Sequence, residues 1–200
     1  MDLGTGSGAI GLYLAKNGCK NILLTDVYPP HIECAQLNAK VNNVINNVEV
    51  RLSDGLKNIQ KSEKFGVIIT NPPDYSDDLW KDTAKKNKMI DSILICGKRG
   101  NEFLCNLARD ISSYLLPEGR FVYLILSKNN PLIIRKILEQ QGFTVNLLSK
   151  VLHKMSEWPF DAWDYDTSKF INKIKQWQQE EGVDDLLLFD ENGDAYTTVE

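Results

Sequence analysis

Long apolar runs are missing from this chain. Nothing in it approaches the roughly 18–20 residues of a membrane span, and no secretory signal opens it. The expected setting is cytoplasmic, with no membrane partner. Histidine is scarce, with two in 200 residues, and Cys19, Cys34, Cys96 and Cys105 are scattered without a Cys-x-x-Cys pair. That pattern argues against structural zinc and favours free thiols in a reducing compartment, so no metal site is expected. Internal repeats and low-complexity tracts are absent as well, which removes solenoids and tandem arrays from consideration. Nor is there an excess of positive charge. A net charge of −4 and a pI near 5.3 disfavour strong non-specific binding to nucleic-acid phosphates, although a local basic face is compatible with an acidic total.

What is present is an ordinary globular composition, 42% apolar and 25% charged, in a length that fits one domain with a sizeable core. Apolar runs and helical periodicities alternate along it. A helix is expected over Ala9–Lys16, stopped at Gly18, then a short strand over Asn21–Asp26. Pro29-Pro30 opens a second helix reaching about Val41. Strands are expected at Val48–Leu52 and at Phe65–Thr70, the latter continuous enough for burial on both faces. An amphipathic helix over Asn101–Leu116 ends at Pro117-Glu118-Gly119 and leads to a strand over Arg120–Leu126. A helix from Pro131 to Gln141 and a strand over Phe143–Leu152 follow. Past residue 154 the rhythm breaks into an aromatic stretch with Trp158, Phe160, Trp163, Tyr165 and Trp177 and a polar helix near Ser168–Glu180. Asp185–Phe189 and Ala195–Val199 flank Asn192-Gly193, a strong hairpin signal. The fold class is therefore α/β: a doubly wound, mostly parallel Rossmann-like sheet with a carboxyl-terminal antiparallel hairpin. Residues 1–153 are read as the core, and 154–200 as an appended segment of the same domain. Only Met1 precedes Asp2, where a buried strand normally stands, so truncation upstream is expected.

Two motifs carry chemistry. In Asp2-Leu3-Gly4-Thr5-Gly6-Ser7-Gly8, the glycines let the backbone turn sharply and bring amides close to a ligand at a helix amino end. Taken as Gly6-x-Gly8-x-x-Gly11 the loop also matches the dinucleotide fingerprint, so alone it indicates only a nucleotide-like ligand. Asp26, followed by Val27, ends the next strand where doubly wound folds place an acid on ribose hydroxyls. Asp54-Gly55 follows the third strand, where Asp54 suits an adenine amino group or, nearly as well, a plain turn. The second motif is Asn71-Pro72-Pro73, directly after the Phe65–Thr70 strand. The Asn71 side-chain carbonyl and the Pro72 backbone carbonyl can accept both N–H bonds of a planar amine, and the prolines stiffen that grip.

On these residues the chain resembles the class I S-adenosylmethionine-dependent methyltransferases, within them the HemK/PrmC-like branch that methylates amide or exocyclic amine nitrogens. The resemblance spans roughly residues 2–150. It rests on the Asp2–Gly11 loop, Asp26, Asn71-Pro72-Pro73 and the stretch from Gly97 through Leu116-Pro-Glu-Gly-Arg-Phe. It implies S-adenosyl-L-methionine as cofactor and S-adenosyl-L-homocysteine as product. Asp2, Gly4, Thr5, Gly6 and Gly8 would lie near the methionyl part, Asp26 on the ribose and Asp54 near adenine, with Val27 and Gly55 also in the cofactor site. Asn71, Pro72 and Pro73 would grip the acceptor, with Asn71 also beside the cofactor. The expected reaction is N-methylation, with a protein glutamine side chain, as in a translation factor, first among acceptors. A small activator subunit is a further possible partner, because single-domain members of the branch use one. Where the family pattern has an aromatic residue directly after the second proline, this chain has Asp74, with Tyr75 one position later. Three readings stay open there: Tyr75 substitutes for it, Asp74 meets a substrate cation, or activity is altered.

A nucleic-acid base amine or a small-molecule amine remains an alternative acceptor, with RNA disfavoured by net charge but kept open by Lys81, Lys85, Lys86, Lys88, Lys98 and Arg99. That basic segment is better read as a solvated helix face. A catalytically inactive methyltransferase-fold binding module is a further alternative. A nicotinamide oxidoreductase would leave Asn71-Pro72-Pro73 unexplained. The Trp158–Trp163 aromatics suit packing better than a pocket wall, His31 and His153 carry no partner pattern, and Asp190–Asp194 suits a hairpin better than a calcium loop.

Overall fold

The computed structural model describes residues 1–79, 94–155, 167–192 and 195–199. The lysines at 81, 85, 86 and 88, and the aromatics at 158, 160, 163 and 165, lie outside that set. The chain divides into two compact units, Met1–Pro72 with Asp110–Tyr123, and Pro73–Arg109 with Leu124–Glu200.

The first unit is a five-stranded parallel sheet. Its strands are β1 (Asp2–Leu3), β2 (Ile22–Asp26), β3 (Val48–Leu52), β4 (Phe65–Thr70) and β5 (Leu115–Tyr123), in the order β3-β2-β1-β4-β5. Parallel neighbours need crossovers, and the first two are the helices α1 (Ala9–Lys16) and α2 (Pro29–Val41). Strand order reverses beside β1, the place where open α/β sheets bind ligands. β1 has two residues yet pairs on both sides, Asp2 opposite Leu24 and Ile69, Leu3 opposite Thr25 and Thr70.

Leu12 and Ala15 of α1 and Ala35 and Ala39 of α2 form one apolar cluster with Ile22, Leu24 and Val44. The alanines let the helices approach the strands closely. Gly11 is closer still, because a Cβ there would stand 2.0 Å from Leu24 Cδ2 and 3.1 Å from Asp2 Oδ2. All five residues of β2 are buried. β4 does not match the expected two-sided burial: Ile68 and Thr70 are buried, but Val67 is 42% exposed.

Several boundaries differ from the sequence reading: the strand expected over Arg120–Leu126 ends at Tyr123, and of Asp185–Phe189 only Leu188 and Phe189 pair as strand. The helix expected over Asn101–Leu116 ends at Asp110 as α3 (Glu102–Asp110), and Ile111–Tyr114 tighten into a 3-10 turn. Ser112 and Ser113, which compete for backbone hydrogen bonds, fall where the helix stops. The Pro117-Glu118-Gly119 turn signal lies inside β5 as an irregularity. Leu115 faces Phe65 and Arg120 faces Val67, so the residues between them leave the ladder.

In the second unit, α4 (Pro131–Glu139) and α5 (Thr167–Glu181) accompany an antiparallel sheet, β6 (Val151–Lys154), β7 (Leu188–Phe189) and β8 (Ala195–Val199), ordered β6-β8-β7. The expected hairpin is present, with Leu188 opposite Tyr196 and Phe189 opposite Ala195. The strand expected over Phe143–Leu152 is not. Only its last two residues are in β6, and residues 143–150 carry no strand pairing. Apolar alternation encodes a face but not a partner, and Leu148 is 81% exposed. Phe170, Ile174 and Trp177, at helical spacing on α5, build this unit's core with Leu79, Met155, Leu186, Leu187 and Ala195. Among the described residues no helix is long and apolar enough to cross a membrane, and the four cysteines are unpaired.

Gly11→Ala should destabilise the chain by about 1–3 kcal/mol through overpacking against Leu24. Urea unfolding with an unchanged slope checks this; a midpoint equal to the parent's would show that the helix can move aside freely.

Candidate active site

Parallel register brings the chemistry-bearing corners of the first unit to one edge. Leu3 is level with Thr25 and Thr70, and Asp26 is level with Leu52. The chain therefore leaves the sheet at Gly4, Val27, Ser53 and Asn71 along the same carboxyl edge, from four adjacent strands. The glycine loop and Asn71-Pro72 follow neighbouring strands.

The loop is braced from beneath by Asp2. Its Oδ2 accepts the Thr5 hydroxyl at 2.6 Å and the Gly11 amide at 2.9 Å, and the residue is 2% exposed. Burial raises the Asp2 carboxyl above its ordinary value, although the Thr5 and Gly11 bonds pull it back. Asp2 thus shapes the loop from the interior. The Thr5 amide donates to Thr25 O at 2.8 Å, and Gly4, Gly6 and Gly8 all adopt positive φ, +73°, +54° and +89°. Side chains rarely accept that conformation.

Asp26 ties the loop to β2. Its Oδ2 accepts the Gly6 amide at 2.8 Å, and its Oδ1 accepts the Tyr28 amide at 3.0 Å and lies 3.1 Å from His31 Nδ1. His31, given a bland role from sequence, therefore orients the acid. The available signal was its position five residues after Asp26, in the first turn of α2. Asp54 is exposed and paired with Lys57, while the buried Ser53 closes its turn by donating from Oγ to Gly55 O at 2.8 Å. Val27 is 52% exposed beside Asp26, and Asn71 is exposed while Pro72 is buried.

These residues fit a nucleoside-bearing ligand. A Cβ at Gly4 or Gly6 would meet nothing within 4 Å, so the space beside the loop is open. Three N–H groups take Asp26, and a carboxylate has about four acceptor positions, leaving capacity for a sugar hydroxyl. Val27 offers an apolar surface next to it.

Pro73, Asp74 and Tyr75 belong to the second unit. The Pro73 carbonyl accepts the Cys96 thiol at 2.9 Å, and burial pushes that thiol up to about 11. Tyr75 pairs through its backbone with Leu94 and Cys96 and packs, half-buried, against this unit's core. Burial raises its phenol. Asp74 meets Lys128 and Asn129, two residues the sequence reading did not single out. A polar Ser127-Lys128-Asn129-Asn130 run after an expected strand was the signal.

The methyltransferase small domain family describes residues 1–94. The chain is 32% identical over 155 residues to a candidate protein N5-glutamine methyltransferase of Methanocaldococcus jannaschii, covering 76% of this chain and 73% of that one. It is 30% identical over 149 residues to the release factor glutamine methyltransferase of Aquifex aeolicus, covering 74% of this chain and 52% of that one. The chain therefore spans about half the length of the release factor glutamine methyltransferases it matches. A methyltransferase from Pyrococcus furiosus superposes with a TM-score of 0.55 at 19% identity, over 99% of this chain and 71% of that one, a likeness of fold. Sheet order and loop edge place the domain among the class I S-adenosylmethionine-dependent methyltransferases. Within that class the chain belongs to the HemK/PrmC-like family.

The raised Asp2 carboxyl has a stability consequence of definite sign. Because the folded state holds that proton more tightly than the unfolded chain, this group's contribution declines as pH rises from its unfolded value of about 3.8 through the raised folded one. Asp2→Asn, whose carbonyl can still accept from Thr5 and Gly11, should therefore gain thermal stability relative to the parent as pH increases across that window. A difference in melting temperature that is constant with pH would contradict this.

Proposed function

We propose that this chain transfers a methyl group from S-adenosylmethionine to the nitrogen of a glutamine side chain on a protein, with a translation release factor as the carrier. The parallel pairing of β1 with β4 carries the reading, because it sets the glycine loop and Asn71-Pro72 at neighbouring strand ends. Relatives named for glutamine methylation support the amide over an amine acceptor.

When bound, S-adenosylmethionine supplies an electrophilic sulfonium methyl group. Gly4, Thr5, Gly6 and Gly8 hold its methionyl end, Asp26 its ribose, and Val27 with Asp54-Gly55 its adenine, while Asp2 and His31 keep the loop and Asp26 in place. A glutamine amide nitrogen is a weak nucleophile, since its lone pair is delocalised into the carbonyl. Asn71 Oδ1 and the Pro72 carbonyl each accept one of its N–H groups. That fixes the amide plane, shifts electron density towards nitrogen and aims it at the methyl group. Pro72 and Pro73 restrict the backbone so that the two acceptors keep their spacing. Most of the acceleration is then orientation, which well-placed reactants can convert into about 7–11 kcal/mol of barrier reduction. Tyr75 is the proposed stacking aromatic on sequence proximity alone.

Single-turnover transfer of a labelled methyl group to a glutamine-bearing release factor tests the proposal. Asn71→Ala should slow transfer by about 100-fold while donor affinity stays within about twofold. Asp26→Ala should weaken donor binding by about tenfold or more, as loss of charged hydrogen bonds does. Equal labelling by the parent and Asn71→Ala would sink the acceptor assignment.

A further inference from the structure

Lys128 lies in the 3-10 turn Ser127–Asn129, between β5 and α4, and its side chain is 2% exposed. An ammonium withdrawn from water is strongly unfavourable unless each N–H finds a partner. Here all three do: Nζ donates to the Asp74 backbone O at 2.6 Å, to Asp74 Oδ2 at 3.0 Å and to Asn129 Oδ1 at 3.1 Å. The Tyr75 ring lies 5.6 Å from the same nitrogen.

Asn129 reinforces the grip, donating from Nδ2 to the same Asp74 O at 2.9 Å and to Arg99 O at 3.2 Å. Asn101 in turn donates to Asn129 O at 2.8 Å. Gly100 completes the node, since a Cβ there would stand 2.4 Å from Asp74 O. The carbonyl two residues beyond Pro72 is thus held by two donors, and its side chain is neutralised by a buried cation.

We propose that Lys128 is a positioning residue for the acceptor segment and that Asp74 is its internal counter-ion. This rests on the methyl-transfer reading above and narrows it. With its charge already matched inside the chain, Asp74 is engaged by Lys128 and is not free to act as the counter-charge for a cationic substrate. The residue standing where the family has an aromatic is therefore explained by Lys128 rather than by substrate.

Three measurements on the full chain test this: thermal melting, affinity for S-adenosylhomocysteine, and kcat and KM for a glutamine-bearing release factor. Lys128→Met and Asp74→Asn each remove one charge of the pair and should each lower the melting temperature, by roughly 6–15 °C for Asp74→Asn, which strands the ammonium that is 2% exposed, and the double variant should fall by less than the sum. Lys128→Met should raise KM for the release factor about tenfold or more, leaving S-adenosylhomocysteine affinity unchanged. Asp74→Tyr should be impaired by stranding Lys128, and Asp74→Tyr with Lys128→Met should recover to within about threefold of the parent. Should Lys128→Met not fold, Asp74→Asn and the Asp74→Tyr pair carry the same test. Additive melting shifts, or loss of turnover in Asp74→Asn with Lys128→Met unaffected, would overturn the proposal and make Asp74 a substrate contact. A parent chain that shows the melting coupling and binds S-adenosylmethionine but methylates no glutamine would overturn the methyl-transfer reading and the positioning role with it, leaving the ion pair standing.

Discussion

Strand β1 is the constraint on which the rest of the first unit depends. It joins β2 to β4, and through it the corners after three strands come level at one edge. Side chains add to its ladder: Thr70 Oγ1 donates to Leu3 O at 2.8 Å, and the buried Asp2 carboxylate gathers Thr5 and Gly11. One acid thereby couples strand, loop and first helix. The same carboxylate makes the first unit's loop sensitive to protonation, because its burial opposes ionisation.

Asp26 does comparable work one strand over. It accepts from the loop through Gly6 and from its own following turn through Tyr28, and it faces the His31 ring. A residue expected only to meet sugar hydroxyls also fixes the loop that would hold the rest of the ligand. Binding and loop order are consequently linked at a single side chain. In the second unit, Lys128 and Asn129 do for the Asp74 carbonyl what Asp2 does for the loop: a buried polar group with satisfied bonds sets a main-chain path.

Much of this was legible in the residues. Val48–Leu52 and Phe65–Thr70 were read with the bounds they have, and Ala9–Lys16 and Pro29–Val41 likewise, because Gly8, Gly18 and Pro29-Pro30 punctuate their ends. The failures share a cause. Leu115 continues the apolar spacing of α3, yet it pairs with Phe65, and Phe143–Leu152 alternates like a strand while only Val151 and Leu152 find a partner, in β8. Which segment pairs with which is a non-local property that periodicity does not carry. The site divides the same way. The corners were visible as motifs, and His31 on Asp26 is a local contact five residues apart, whereas Lys128 on Asp74, 54 residues apart, required knowing which distant segments meet.

The central claim is that the glycine loop and Asn71-Pro72 serve one reaction from adjacent strand ends. A bisubstrate compound, with the adenosyl group joined through a short linker to a glutamine amide nitrogen, addresses it directly by calorimetry. The account predicts tighter binding than S-adenosylhomocysteine alone, with the gain abolished by Asn71→Ala. Equal affinity for the two compounds, or a gain that survives Asn71→Ala, would contradict it.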